Sequence, residues 1–320
     1  MNVLVIGGAG YIGSHVVASL LDCGATVTVF DNLSTGVREN LFPSVRFIHG
    51  DILDQQAILS AMKGQEAVVH LAAKKAVGES MQFPEIYAEN NIIGTLNVLN
   101  AMAQQNVKSF VFSSSAAVYG MPKESVLDET CPVNPINFYG FTKLEIERFL
   151  SWYDQLKGIR FVALRYFNAV GYDATGRVKG LEKNPQNLLP IVMETAVGMR
   201  PKMSVFGNDY DTPDGTCIRD YIHVTDLADA HVRALKYLKN KGESRILNLG
   251  TGTGRSVMEM IRATEQLTGK TIAFDIAPRR AGDPAKLTAK ADLAHKVLGW
   301  TPQHSTPEEI ILSTWRMYQK

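Results

Sequence analysis

The sequence predicts an α/β protein: a Rossmann-type, doubly wound parallel sheet followed by a smaller C-terminal α/β lobe for the substrate. Three observations predict it. Short β-branched runs alternate with longer segments of helical periodicity through the N-terminal half, the order that lays helices on both faces of a parallel sheet. A glycine-rich turn follows the first of those runs and opens the first helix. Beyond about residue 170 the alternation gives way to a long irregular stretch, Gly171 to Gly215, rich in Gly, Asp and Pro; such stretches in compact domains are usually functional and cover a ligand.

The apolar run Val3–Ile6, closed at once by Gly7, reads as the first strand and Ile12–Leu21 as the helix behind it. Thr26–Phe30, Val45–Ile48, Ala67–Leu71, Ser109–Ser113 and Arg160–Leu164 repeat the strand signal. Gln55–Met62, Pro84–Gln105 and Asn137–Leu156 read as the intervening helices, the second with Ile86, Ile93, Leu96 and Leu99 at helical spacing. Later come a helix over Thr225–Lys239, a strand over Arg245–Leu249, a helix over Val257–Leu267 and a last helix near Pro307–Gln319. These divide into residues 1–170, a dinucleotide-binding domain, and 171–320, mainly a substrate lobe, interleaved with the first. No internal repeat or low-complexity tract interrupts them.

A chain of 320 residues buries a sizeable core. Its 33 Lys and Arg against 32 Asp and Glu leave a formal charge of +1, which favours neither nucleic acid nor an anionic membrane, so local groups must hold any anionic ligand. The three cysteines, Cys23, Cys131 and Cys217, lack CxxC spacing, which argues against a disulfide framework or a zinc site and fits a reducing cytoplasm. The opening MNVLVIGGAGYIG lacks a positive leader, and no long apolar run follows, so no membrane association is expected.

Gly7, Gly10 and Gly13 form a GxxGxxG directly after the first strand. Glycine there permits a tight turn, backbone approach to a pyrophosphate and close packing of helix on strand, while the helix N-terminus offers free N–H groups. Asp31 ends the second strand about 20 residues on, where a carboxylate accepts hydrogen bonds from ribose hydroxyls and repels a 2′-phosphate. No arginine intervenes before Arg38, so the pattern favours NAD over NADP. Asp51, at the third strand's end, suits either the adenine edge or a helix cap. His49 and His70 lack partners at ligand spacing, and no metal is assigned.

Tyr139 and Lys143 lie at i and i+4 of one helix, hence on one face, after a strand that runs into Ser113, Ser114 and Ser115. A phenol is a poor base at neutral pH; bringing its pKa from about 10 toward 7 takes roughly 4 kcal/mol. A lysine cation and an oxidised nicotinamide are the kind of groups that supply it. Tyr139 is therefore the candidate acid/base, Lys143 its activator and Ser115 the hydroxyl that orients the reacting oxygen.

The segments GGAGYIGSH, DNLSTG, HLAAKKAVGES, SSSAAVYG, YGFTK, LRYFNAVG, FGNDYDTPDGTCIRDYIHV and PRRAGD together make the chain similar, over nearly its whole length, to the UDP-glucose 4-epimerase branch of the extended short-chain dehydrogenase/reductase family. The resemblance implies a retained NAD, a UDP-hexose substrate interconverted between UDP-glucose and UDP-galactose through transient oxidation at sugar carbon 4, and a homodimer paired through Pro84–Gln105 and Asn137–Leu156. It places Tyr11, Ile12, Asp31, Asn32, Leu33, Ser34, Thr35, Gly36, Asp51, Ile52, Leu71, Ala72, Lys75, Asn90, Ser115, Tyr139, Lys143 and Phe167 around NAD. Around the UDP-sugar it places Asn168, Asn187, Leu188, Phe206, Arg219, Tyr221, Arg280, Asp283 and Leu287. Arg219 and Arg280 suit charge-assisted bonds to a diphosphate, and Phe206 suits stacking on uracil. Asp220, His223 and Asp226 read as structural, positioning Arg219 and capping the next helix.

The chain departs from the family's pattern at three points. Ala73 stands where the HxAGxK pattern has glycine, and Ala117 where many relatives have threonine, which leaves Ser115 as the hydroxyl. Leu287 stands where bulk limits sugar size and tyrosine marks a narrow pocket, so N-acetylated UDP-sugars are expected to fit. A sugar-nucleotide dehydratase would need an acid and a base after the serine, and Ala116 and Ala117 occupy those places. A UDP-uronate epimerase or decarboxylase, a net dehydrogenase and a silent NAD-sensing module remain as alternatives, although the last would be expected to lose Tyr139 or Lys143.

Overall fold

Every residue of the run Val3–Ile6 is fully buried, as a strand covered by helices on both sides must be. That run forms an inner strand of the sheet in the computed structural model, which describes residues 1–182, 185–280 and 283–319. The first part of the chain folds as β1 (Asn2–Ile6), α1 (Tyr11–Asp22), β2 (Thr26–Asp31), β3 (Arg46–His49), α2 (Gln55–Met62) and β4 (Ala67–His70). It continues with α3 (Val77–Gln82), α4 (Pro84–Tyr87), a π-helical turn (Ala88–Ile93), α5 (Gly94–Gln104), β5 (Ser109–Ser115), β6 (Val126–Leu127), α6 (Phe138–Lys157) and β7 (Arg160–Tyr166). Then follow β8 (Asn168–Val170), α7 (Leu188–Ala196), β9 (Met203–Phe206), β10 (Ile218–His223), α8 (Val224–Lys239) and β11 (Arg245–Leu249). The chain ends with β12 (Gly254–Ser256), α9 (Val257–Thr268), β13 (Phe274–Ala277), β14 (Lys286–Ala289), α10 (Asp292–Leu298) and α11 (Pro307–Tyr318).

Seven parallel strands make the main sheet, in the order β11-β7-β5-β4-β1-β2-β3. Val3 pairs with Val27 on one side and Ala67 on the other, so the order reverses at β1 and β4. That reversal opens a crevice at the carboxyl ends of the strands, where ligands of such sheets bind. One face of the sheet is covered by α1 and α8 through Val16, Leu20, Leu227 and Leu235. The other is covered by α2, α5 and α6 through Ile58, Met62, Leu99, Ile146 and Leu150.

The lobe holds β12-β10-β14-β6, with β8 paired to β10, and a separate β13-β9 pair. The two parts exchange segments. β6 leaves the first part to pair with β14, while β11 returns after the lobe has begun and pairs with β7. A cut at residue 170 therefore divides the chain but not the space.

The structure refines several expected elements. The third strand begins at Arg46, and β5 runs two residues past Ser113 to Ser115. Asn137 caps α6 rather than belonging to it, its side chain accepting from Gly140 N at 2.8 Å. The helix expected over Pro84–Gln105 is broken by the π-helical turn, and the irregular stretch from Gly171 carries α7 and β9. No helix among the described residues is long and apolar enough to cross a membrane.

Candidate active site

The glycine turn is as tight as its spacing implies. Gly7 adopts φ +84°, and a Cβ on it would lie 2.6 Å from Ala72 N; one on Gly13 would lie 2.1 Å from the Gly7 carbonyl oxygen. Gly10 is the N-cap of α1 and supplies no capping side chain, and the first turn carries no acid, so a positive helix end faces the crevice. Leu71 N and Ala72 N both donate to Ile6 O, at 2.9 and 3.1 Å, which brings the end of β4 against this turn.

Asp31 is 8 % exposed and closes the other side. Its carboxylate accepts from Ala9 N at 2.9 Å and from Leu33 N at 2.8 Å. Leu33 is held at φ +58°, a left-handed conformation that non-glycine residues rarely take and that tends to cluster at functional sites. Ser34 N donates to Asn32 Oδ1 at 3.0 Å, and Thr35 follows on the exposed loop. Gly36 fits closely over Ala9 and Asp31. Asn32 Nδ2 donates to Asp51 at 2.8 Å, and Asp54, not Asp51, caps α2. The Ile52 side chain is buried in the core against Gly94.

The residues expected to react meet at the carboxyl end of β5. Ser115 Oγ accepts from Ala117 N at 3.2 Å, and the Ser115 side chain stands close enough to Tyr139 to lower its phenol. Tyr139 occupies the first turn of α6, and its backbone N–H donates to Ser80 Oγ at 3.1 Å. Lys143 Nζ donates to Ser113 O at 2.7 Å and lies 5.8 Å from the centre of the Tyr139 ring. Burial lowers the Lys143 ammonium to about 7, with the Glu147 carboxylate opposing, so its charge is sensitive near neutrality. Burial raises the Tyr139 phenol, against the Ser115 side chain.

His70 is not a ligand. Its Nε2 meets Thr95 Oγ1 at 2.9 Å, and Thr95 Oγ1 itself donates to Asn91 O, so the imidazole is the Nε2-protonated tautomer. Burial, then the Lys143 charge, lowers it to about 3. His49 Nε2 lies 3.1 Å from Asn32 O. Among the described residues no group of three or more His, Cys, Asp or Glu is placed to hold a metal ion.

The lobe brings several of its expected residues together. Arg219 on β10 is paired in register with Leu287 on β14, and its guanidinium makes an ion pair with Asp283. Leu287 packs with Phe167, Ala116 and Leu144 beside the end of β5. The Arg280 guanidinium stands 3.9 Å over the Phe206 ring, so the face of that ring expected to meet a base meets a cation here. Asn168 Nδ2 donates to Asp220 O, and Asn187 is the N-cap of α7, with Leu188 its first residue.

Other expected residues lie elsewhere. Tyr221 is 5 % exposed and packs in the lobe core with Val170, Met260 and Ile310. Lys75 makes an ion pair with Glu182, and Asn90 lies in the π-helical turn. The Tyr11 hydroxyl turns toward the lobe and donates to Gly171 O at 2.5 Å. Asp220 accepts from Thr251 N, Gly252 N and Ala289 N, which stitches together the strands carrying Arg219 and Leu287. Asp226 accepts from Gln303 N and His304 N, while His223 caps α8. Ala281 and Gly282 of the PRRAGD segment lie outside the described residues.

Sequence reading missed three contributors. Asn91 holds both backbone polar groups of Lys74 and Thr142 Oγ1, tying the end of β4 to α6. Segment 171–182 lies along α1 and the loop after β2: beyond the Tyr11 contact, Arg177 grips Asp22 and Gly180 N donates to Asn40 Oδ1. Glu147 and Arg165 form a buried pair beside Lys143. Only Glu147 carried a signal, four residues after Lys143 on the same helix face.

The family described as "NAD dependent epimerase/dehydratase family" matches residues 3–250. The UDP-glucose 4-epimerase of Halalkalibacterium halodurans is 46% identical, over 100% of this chain and 96% of its own length. Among solved structures, the UDP-glucose 4-epimerase of Brucella ovis in complex with NAD superposes with a TM-score of 0.96 at 44% identity, covering 99% of this chain and 98% of that one. The Bifidobacterium longum UDP-glucose 4-epimerase in complex with NAD+ and UDP gives 0.93 at 39% identity, covering 100% and 98%.

Proposed function

The chain belongs to the NAD dependent epimerase/dehydratase family, and we propose that it interconverts UDP-glucose and UDP-galactose with a resident NAD. The observation that carries this reading is the Ser115, Tyr139 and Lys143 set at the end of β5, beside a glycine turn with no room for a Cβ at Gly7 or Gly13. Relatives at 43 to 46% identity over the full length, all UDP-glucose 4-epimerases, support the sugar and the isomerase chemistry.

Gly7, Gly10 and Gly13, with Tyr11 and Ile12 at the start of α1, would hold the pyrophosphate. Asp31 already accepts two backbone bonds, yet a carboxylate has about four acceptor sites, which leaves capacity for ribose hydroxyls. Asn32, Leu33, Ser34, Thr35, Gly36, Asp51, Ile52, Leu71, Ala72, Lys75, Asn90 and Phe167 complete the assigned cofactor residues. When bound, NAD supplies reversible hydride exchange with sugar carbon 4.

The chain's own residues handle the proton. Ser115 orients the C4 oxygen, Tyr139 Oη, as the phenolate, takes its proton and later returns one, and the Lys143 ammonium favours the phenolate before the first event and after the second. Arg219 and Arg280 are assigned to the diphosphate, Phe206 to the uracil, and Asn168, Asn187, Leu188 and Asp283 to the rest of the UDP-sugar. Arg219 is available to phosphate only as its bond to Asp283 is shared or exchanged. Residues 1–170 are assigned to the cofactor and 171–320 mainly to the sugar. A cytoplasmic setting in galactose metabolism fits three free cysteines. A homodimer fits the exposed apolar side chains of α6.

Incubation of purified protein with UDP-galactose and no added cofactor is expected to yield UDP-glucose without stoichiometric NADH. Tyr139→Phe should lose most turnover and keep UDP binding. No product from the unmodified protein, even with added NAD, would refute the assignment.

A further inference from the structure

Tyr139, Lys143 and Glu147 succeed one another at four-residue intervals and so share one face of α6. The third of these is 3 % exposed and never reaches water. Its Oε1 accepts from Ser114 Oγ at 2.6 Å and from Arg165 Nε at 2.9 Å, and its Oε2 accepts from Arg165 Nη2 at 2.7 Å. Ser114 lies between Ser113, whose carbonyl holds Lys143, and Ser115, whose side chain stands beside Tyr139 and lowers its phenol. Three consecutive residues of β5 thus meet three successive turns of α6, two of them through hydrogen bonds.

The link extends to the lobe. Arg165 Nη1 donates to Tyr119 Oη at 2.9 Å, Tyr119 donates to Asn248 Oδ1 at 2.7 Å, and Asn248 Nδ2 donates to Leu127 O at 3.0 Å. Leu127 pairs with Ala289 on β14, the strand that carries Leu287. A buried ion pair is a poor source of stability, because desolvating both charges offsets most of their attraction and an apolar pair of equal volume often serves as well. A bidentate Arg–carboxylate pair does fix geometry, since both N–H···O bonds must form together.

We propose that Glu147 is a positioning residue for the proton-transfer pair: it locks the face of α6 that bears Tyr139 and Lys143 against β5 and places a negative charge one turn behind the Lys143 ammonium. The proposal rests on the reading of Tyr139 and Lys143 given above. Facing Lys143 are Tyr139 and Glu147 from α6, the Phe112 ring and Ser113 carbonyl from β5, and neutral His70 from β4, with Arg165 of β7 behind Glu147. Glu147 is the carboxylate among them. It favours the charged lysine against burial, which alone drives the group toward neutrality.

The test compares Glu147→Gln with the unmodified holoenzyme in UDP-galactose turnover across pH. The expected result is a KM within twofold, a kcat lower by about tenfold at pH near 8, and an alkaline limb displaced to lower pH by about one unit. Lysine labelled with carbon-13 at Cε reads the same quantity without turnover, and the Lys143 resonance should titrate at lower pH in the variant. A folded variant whose limb and Lys143 titration match the unmodified protein overturns the proposal, because a purely structural pair would change the thermal midpoint alone. Should Glu147→Gln not fold, Glu147→Gln/Arg165→Met removes both charges and carries the same expectation and the same overturning result. An unmodified protein that fails to turn over UDP-galactose would count against the epimerase reading, while the titration would still decide the role of Glu147.

Discussion

Leu287 faces Arg219 across the β10–β14 pairing and lies in one apolar cluster with Phe167 and Ala116, the residue after Ser115. A leucine there leaves more room than a tyrosine ring. The unmodified protein is expected to convert UDP-N-acetylgalactosamine, and Leu287→Tyr should lose that activity while keeping UDP-galactose turnover. Absence of turnover of the N-acetyl sugar by the unmodified protein would remove this expectation. At this scale the glycines, Asp31 and the Tyr139/Lys143 pair were legible, because each acts on a neighbour set by backbone geometry over a few residues. The bond of Arg219 to Asp283, 64 positions away, and the stack of Arg280 on Phe206 were not. Tyr221 was assigned to the sugar, yet its side chain lies in the core: on β10 it follows Arg219 by two residues and shares that face, and local spacing does not say where a face stops being open.

The helix expected over Pro84–Gln105 shows what an element owes to its surroundings. Its apolar spacing is real, but Asn91 bonds the backbone of Lys74, and the turn carrying it adopts π-helical winding, a distortion frequent at functional sites. Along α6 the inward face carries Lys143, Glu147 and Leu150, whereas Phe141 is 40 %, Trp152 59 % and Leu156 71 % exposed. Ile86 and Ile93 are exposed on the neighbouring helical segment. Exposed apolar residues aligned along adjacent helices mark a protein interface more often than a solvent face. Trp152→Glu is therefore expected to move the protein from dimer to monomer in size-exclusion chromatography with light scattering. A monomer before substitution, or a dimer unaffected by it, would count against pairing through these helices.

Across the whole molecule, burial sets the charge state of four histidines at or below 3 % exposure. It lowers His15 and His231 to about 4, and His70 and His223 to about 3. Their unfolded counterparts protonate near the ordinary 6.5, so between these values the unfolded chain binds more protons than the folded one. Stability is therefore full above about pH 6.5 and declines as pH falls toward 4 and 3. The thermal midpoint should drop steadily from pH 7 to pH 4; a flat profile over that range would show that these side chains are not buried and neutral. His15 also joins the two parts of the molecule, accepting from Asp173 N, and His223 ties β10 to α11 through Ser313 within the lobe. Acid should accordingly loosen the lobe from the sheet.

The sequence by itself determined the strands of the main sheet and the helices that cover them, the glycine turn, Asp31 and the spacing of Ser115, Tyr139 and Lys143. Each of these follows from periodicity or from spacing within a single element, which backbone geometry fixes locally. Only the tertiary structure decided that β6 pairs with β14, that β11 returns to the main sheet, that segment 171–182 lies along α1, and that Glu147 meets Ser114 and Arg165 behind Lys143. Hydrogen bonds and ion pairs depend on distance through space, and for residues far apart in the chain that distance exists only once the sheet has closed.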